Sequence, residues 1–146
     1  KNSRTAEQPR TASNLDGNEI VADIAPGPQD IVIEKLKPSG FFGTPLLSHL
    51  VHLQVDSLLV TGTTTSGCVR ASVLDAFSNN YRISIVEEGC FDRSQASHAI
   101  NLCDMNAKYA DVIKLEEALQ FLQTLKPGQF ELPGASKLAS VKAANM

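Results

Sequence analysis

The amino-acid sequence predicts an α/β protein: a three-layer α/β/α sandwich around a mostly parallel sheet. Two observations carry this. Short apolar runs rich in β-branched residues recur along the chain, in the manner of strands buried on both faces. Segments of helical length lie between them, which implies crossover connections and a sheet covered on both sides.

The first such run is DIVIEK (30–35), read as a strand. TPLLSHLVHL (44–53) comes next as a helix, with Thr44 as N-cap and Pro45 at the first helical position. SLLVTG (57–62) is the second strand, ending in glycine. GCVRASVLDAFSN (67–79) reads as a helix with Val69, Val73 and Phe77 four apart on one face. It stops at Asn79-Asn80, residues that tolerate the left-handed cap conformation. YRISIVEE (81–88) is the third strand, and the weaker ADVIKL (110–115) the fourth. SQASHAINLCDMNAKY (94–109) and LEEALQFLQTL (115–125) complete the helices. The domain is expected over 20–125, with a polar arm at 1–19 and a loosely held tail at 126–146.

Composition narrows the function classes. The chain has 146 residues, enough for one core, and 42% of them are apolar. Trp is absent and only two Tyr are present, so no stacking platform for nucleic-acid bases is expected. A net charge of -3 gives no attraction to phosphate backbones or anionic lipid. No apolar run approaches the ~18 residues of a membrane span, and the polar opening residues do not read as a signal peptide. Cys68, Cys90 and Cys103 fit no zinc spacing. Free thiols in a cytoplasmic setting are the simplest reading.

The most informative stretch is SLLVTGTTTSGCVRASVLDAF (57–77): a strand, a run of small residues, then Cys68 where a helix begins. Unpaired amides and the helix dipole favour a thiolate there. The same amides are suited to an oxyanion formed when the thiolate attacks a carbonyl. The plain alternative is a small buried hydrophobe, since free cysteine often packs in cores. His49 and His52 stand three apart on a helix with no third ligand nearby, and no metal is expected. Cys90 and Cys103 read as buried thiols, and His98 as a packing or capping residue near the site.

Three segments in order, IEKLKPSGFFGTPL (33–46), VTGTTTSGCVRASVLDAFSNNYR (60–82) and VEEGCFDRSQASHAINLCDMNAKYADV (86–112), give the chain a specific likeness. Over residues 20–115 it resembles the isochorismatase-like cysteine hydrolases, in the branch of N-carbamoylsarcosine and maleamate amidohydrolases. The resemblance implies Cys68 as nucleophile and Lys35, at the end of its strand, as the catalytic lysine. It implies an oxyanion hole from the backbone amides of Thr64 and Cys68, with a cis peptide between Thr63 and Thr64. It implies Arg93 as the grip on a substrate carboxylate, with Thr63, Thr64 and Phe41 against the substrate. From the residues alone, Lys35 reads equally as a surface lysine, Arg93 as a loop arginine paired with Asp92 or Asp104, and Phe41 as core.

The implied function is hydrolysis of a small linear carboxylate-bearing amide or ureido acid through a cysteine thioester, releasing ammonia and needing no cofactor. The substrate expected is N-carbamoylsarcosine-like, with maleamate as the alternative. A catalytically silent binding or scaffold protein is the alternative of another class. The family's catalytic aspartate ends its first strand, and Asp16, Asp23 and Asp30 follow no such apolar run. The first strand is therefore expected to lie outside this sequence, with an amino-terminal segment carrying the aspartate as a partner. A homo-oligomer is the other partner expected, with no nucleic acid and no membrane. Residues 1–34 hold no histidine, against the nicotinamidase type of metal site.

Overall fold

A computed structural model describes residues 20–126. The chain divides into two compact units, Lys1–Val32 and Ile33–Met146. The expected arm and all but the first residue of the expected tail lie outside the described residues. In the first unit the described residues form one 3-10 turn, Ala22–Ile24, and a bend in which the Gly27 amide donates to the Asp30 carboxylate at 2.7 Å.

The second unit runs α1 (Leu46–His52), β1 (Ser57–Thr63), a π turn (Thr65–Val69), α2 (Arg70–Ser78), β2 (Arg82–Phe91), α3 (Gln95–Lys108), β3 (Asp111–Ile113) and α4 (Leu115–Thr124). The three strands form one sheet in the order β1-β2-β3, and both pairings are parallel. The expected strand at 30–35 is not one. Its backbone makes no ladder with any described strand, and a β-branched run without a pairing partner has nothing to hold it extended in a sheet.

Alternation on β2 separates the layers. Ile83, Ile85 and Cys90 point to one face and pack with Val69, Val73 and Ala76 before and along α2, and with Leu102 and Met105 of α3. Val86 points to the other, where α4 buries Ala118. Val69 and Val73 are buried, whereas Phe77 on the same spacing is 49% exposed and packs edge-on against Tyr109, at 5.4 Å between ring centres. Asn80 takes the left-handed conformation expected at the end of α2, with φ of 67°. α1 begins at Leu46, so Pro45 rather than Thr44 is its N-cap; the Thr44 hydroxyl still accepts from the Leu46 amide at 3.3 Å. Ser94 caps α3 through its side chain, and the Glu88 carboxylate takes the Leu115 amide at the start of α4.

The β1–β2 register sets the site. Val60 pairs with Ile85, but Gly62 pairs with Cys90, so β2 holds three more residues than β1 between these pairs. Such a bulge bends the strand and re-aims the side chains beyond it. Gly89 sits within it, where a Cβ would lie 2.8 Å from the Thr61 methyl, so only glycine lets the two strands approach this closely. Gly62 has φ of 119°, which favours glycine near the end of β1, just before the turn that carries Cys68.

Candidate active site

β1 delivers its chain to the carboxyl edge of the sheet, where parallel folds place their ligands. The Thr63–Thr64 peptide is cis, as expected from the resemblance. Cys68 does not begin an ordinary helix, as the sequence suggested. It is the fourth residue of a π turn, because the Thr64 carbonyl accepts from both the Gly67 amide (2.8 Å) and the Val69 amide (3.2 Å). Wide turns of this kind recur at functional sites.

Lys35 lies in an irregular segment rather than at a strand end, yet its ammonium reaches the nucleophile position. Nζ is 3.4 Å from Cys68 Sγ and donates to the Lys37 carbonyl at 3.1 Å. The segment is tied to the Cys68 helix by one bond not foreseen from the sequence: the Gly40 amide donates to Ser72 Oγ at 2.9 Å. Ser72 lies four residues after Cys68, so helical spacing puts both on one face, and that was the available signal. Thr44 Oγ1 closes the same loop by donating to the Gly40 carbonyl.

The turn between the cis peptide and Cys68 is held from the other side by the loop after β2. The Ser66 amide donates to Asp92 Oδ2 at 2.7 Å, and Thr65 Oγ1 lies 2.8 Å from His98 Nδ1. Thr65 is fully buried, and the Asp92 side chain is 0% exposed. Hydrogen bonding from the Ser66 hydroxyl, with the amides of Ser66 and Arg93 and the Arg93 charge, holds the Asp92 carboxyl below the usual range against the opposing effect of burial. Among the described residues the Thr64 amide makes no hydrogen bond, and the Thr63 and Thr64 hydroxyls lie 3.3 Å apart.

Arg93 stands 85% exposed, its Nε 3.8 Å from Asp92. Of the two pairings open to it, the structure has Asp92; Asp104 takes Arg70 at 3.1 Å and Lys108 at 3.6 Å instead. Phe41 leans on the core, 6.4 Å from the Tyr81 ring centre. Its neighbour Phe42, 66% exposed, lines a cavity of about 410 Å³ with Glu34, Leu36, Lys37 and Gly43, the segment around Lys35. Larger cavities, about 690 and 700 Å³, open at the amino ends of the strands and beneath α4. Neither is lined by Lys35 or Cys68. Cys90 is buried, which pushes its thiol up, whereas Cys103 is exposed rather than buried as expected. His49 and His52 lie on α1, and no metal-ligating cluster gathers among the described residues. No helix among those residues is long and apolar enough to cross a membrane.

The chain is similar to known proteins over most of its length. The isochorismatase domain family matches residues 1–117. A maleamate amidohydrolase of Pseudomonas putida is 38% identical over 115 residues, which is 76% of this chain and 54% of that protein. An N-carbamoylsarcosine amidase of Arthrobacter is 40% identical over 108 residues, 74% of this chain and 40% of that one. The chain thus spans about half the length of the curated relatives it matches. Among solved structures, N-carbamoylsarcosine amidase from Thermoplasma acidophilum superposes with a TM-score of 0.63 at 32% identity, covering 69% of this chain and 57% of the other.

Proposed function

This chain belongs to the isochorismatase family, and from that premise we propose that it is an amidohydrolase for small linear amides or ureido acids that carry a carboxylate. The observation that carries the reading is the Lys35 ammonium 3.4 Å from the Cys68 sulfur. An ammonium at that distance is placed to pair with the sulfur as it attacks. The thiolate attacks the amide carbon, and the carbonyl electron pair moves to oxygen. The Thr64 and Cys68 amides hold that oxyanion. Collapse of the adduct breaks the C–N bond, ammonia leaves with a proton from a general acid, and an acyl-thioester remains. Water then hydrolyses the thioester and returns the thiol.

Arg93 is the anchor for the substrate carboxylate, since its planar fork suits two parallel hydrogen bonds. Its exposure leaves the guanidinium free to receive one. An N-carbamoylsarcosine-like acid and maleamate both satisfy this geometry, and the two curated relatives act on these two substrates by name. The test is ammonia release from carbamoyl amino acids and maleamate by the wild type and by Cys68→Ala. The expected result is turnover of at least one, lowered roughly 10³-fold or more in the variant. A folded wild type that releases no ammonia from the panel, or a variant that retains full turnover, overturns the proposal.

A further inference from the structure

We infer that Asp92 is a positioning residue, which fixes the turn carrying the oxyanion amides and, through its neighbour Arg93, sets that turn in register with the substrate anchor. The inference rests on the amidohydrolase reading and deepens it.

Asp92 is a carboxylate with no side-chain exposure at the edge of a site, and burying an unpaired charge is costly. Its partners explain it. Oδ2 accepts from the Ser66 amide at 2.7 Å, and Oδ1 accepts from the Arg93 amide at 2.8 Å. Oδ2 thus joins the loop after β2 to the turn after β1, and Oδ1 holds the loop's own backbone at Arg93, by charge-assisted bonds, which are short and directional. Ser66 lies between Thr64 and Cys68, whose amides are the proposed oxyanion donors. The Gly67 and Val69 amides turn back to the Thr64 carbonyl, whereas the Ser66 amide, between the two proposed donors, is held from outside the turn by Asp92. Asp92 therefore fixes the direction of the backbone that carries those donors. The same carboxylate braces Arg93 at Nε, so one side chain relates the carboxylate end of a substrate to its reacting end. His98 adds a second hold on the turn at Thr65.

This makes position, rather than charge, the quantity that matters, and two substitutions separate them. Asp92→Asn keeps an acceptor oxygen in place and loses the charge. Asp92→Glu keeps the charge and displaces the oxygens by one methylene. The expected order of kcat is wild type and Asp92→Asn within about tenfold of each other, with Asp92→Glu and Asp92→Ala about a hundredfold lower, since small misplacements of reacting groups are that costly. Alkylation of Cys68 by iodoacetamide, mapped by mass spectrometry on the same folded samples, is expected to slow in Asp92→Glu and not in Asp92→Asn. A variant set in which Asp92→Glu keeps wild-type kcat while Asp92→Asn loses it assigns a charge role and overturns the inference. So does a lower melting temperature with kcat unchanged. If the wild type alkylates at Cys68 yet hydrolyses no amide, the amidohydrolase reading fails by itself, and the alkylation order still decides the role of Asp92.

Discussion

Replacing Gly89 by alanine tests how the β1–β2 bulge supports the site. A Cβ at this position would lie 2.8 Å from Thr61 Cγ2, 3.2 Å from Thr61 Cβ and 3.4 Å from Val86 Cβ. The first contact is short of ordinary van der Waals distance, and a β-branched threonine has few rotamers with which to yield. Overpacking of this kind costs about 1–3 kcal/mol. Loss of glycine's freedom in the unfolded chain returns about 0.4–1 kcal/mol, because Gly89 does not need a positive φ. The net is a destabilisation of about 1–2 kcal/mol, and a fall in Tm of roughly 3–8 °C for a chain of this length. The assay is thermal unfolding followed by circular dichroism. Adding Thr61→Ser removes the obstructing methyl and is expected to recover part of the loss. A Gly89→Ala protein that melts at or above the wild type, or a double variant no better than the single one, refutes the close approach of the two strands.

The same geometry sets further expectations. Met105 is fully buried in the core between α2, α3 and β2, so Met105→Ala is expected to cost about 2–5 kcal/mol by urea titration; a loss below that range contradicts the packing described. Arg93→Ala is expected to raise KM for a carboxylate substrate by roughly 10- to 100-fold, the worth of a charged hydrogen bond, and to leave an uncharged amide analogue unaffected. Equal effects on both compounds would remove Arg93 from the anchor role. Asp104 is held below the usual carboxylate range by the Arg70 hydrogen bond first and the Lys108 charge next, against burial. A folded-state value below the unfolded one contributes stability that is present above the unfolded value, near pH ~3.9, and is lost as pH falls through the folded one. Melting temperature is therefore expected to drop on acidification below about pH 4, and less steeply in Asp104→Asn; an identical drop in both proteins contradicts this linkage.

The alternation of strand and helix was plain in the sequence because β1, β2, α3 and α4 satisfy local rules: β-branched runs, the Ser94 cap and helical spacing of apolar residues. Residues 30–35 obeyed the same local rule and failed, since a strand also requires a ladder partner that composition does not reveal. The exposure of Phe77 was not legible either, since four-residue spacing fixes a direction, but only packing shows where the covering layer ends. Cys68 stood out through the strand-to-turn transition, and Lys35 through resemblance alone, because 33 residues separate it from the sulfur it meets. Asp92 was read only as a partner for Arg93, and Ser66 and Ser72 went unread. Their roles come from long-range hydrogen bonds involving backbone amides, which leave no motif; Ser72 alone carried a signal, its four-residue spacing from Cys68.

Competitive labelling of the three thiols by iodoacetamide at pH 7, with site-resolved mass spectrometry, addresses the nucleophile most directly. Cys90 is buried and Cys103 exposed, so the two serve as controls for access and for an ordinary surface thiol. Cys68 is expected to react first, ahead of the more accessible Cys103, and to lose that lead in Lys35→Met. A Cys68 that reacts no faster than Cys103 in the wild type, or just as fast without the lysine, contradicts an ammonium-activated sulfur.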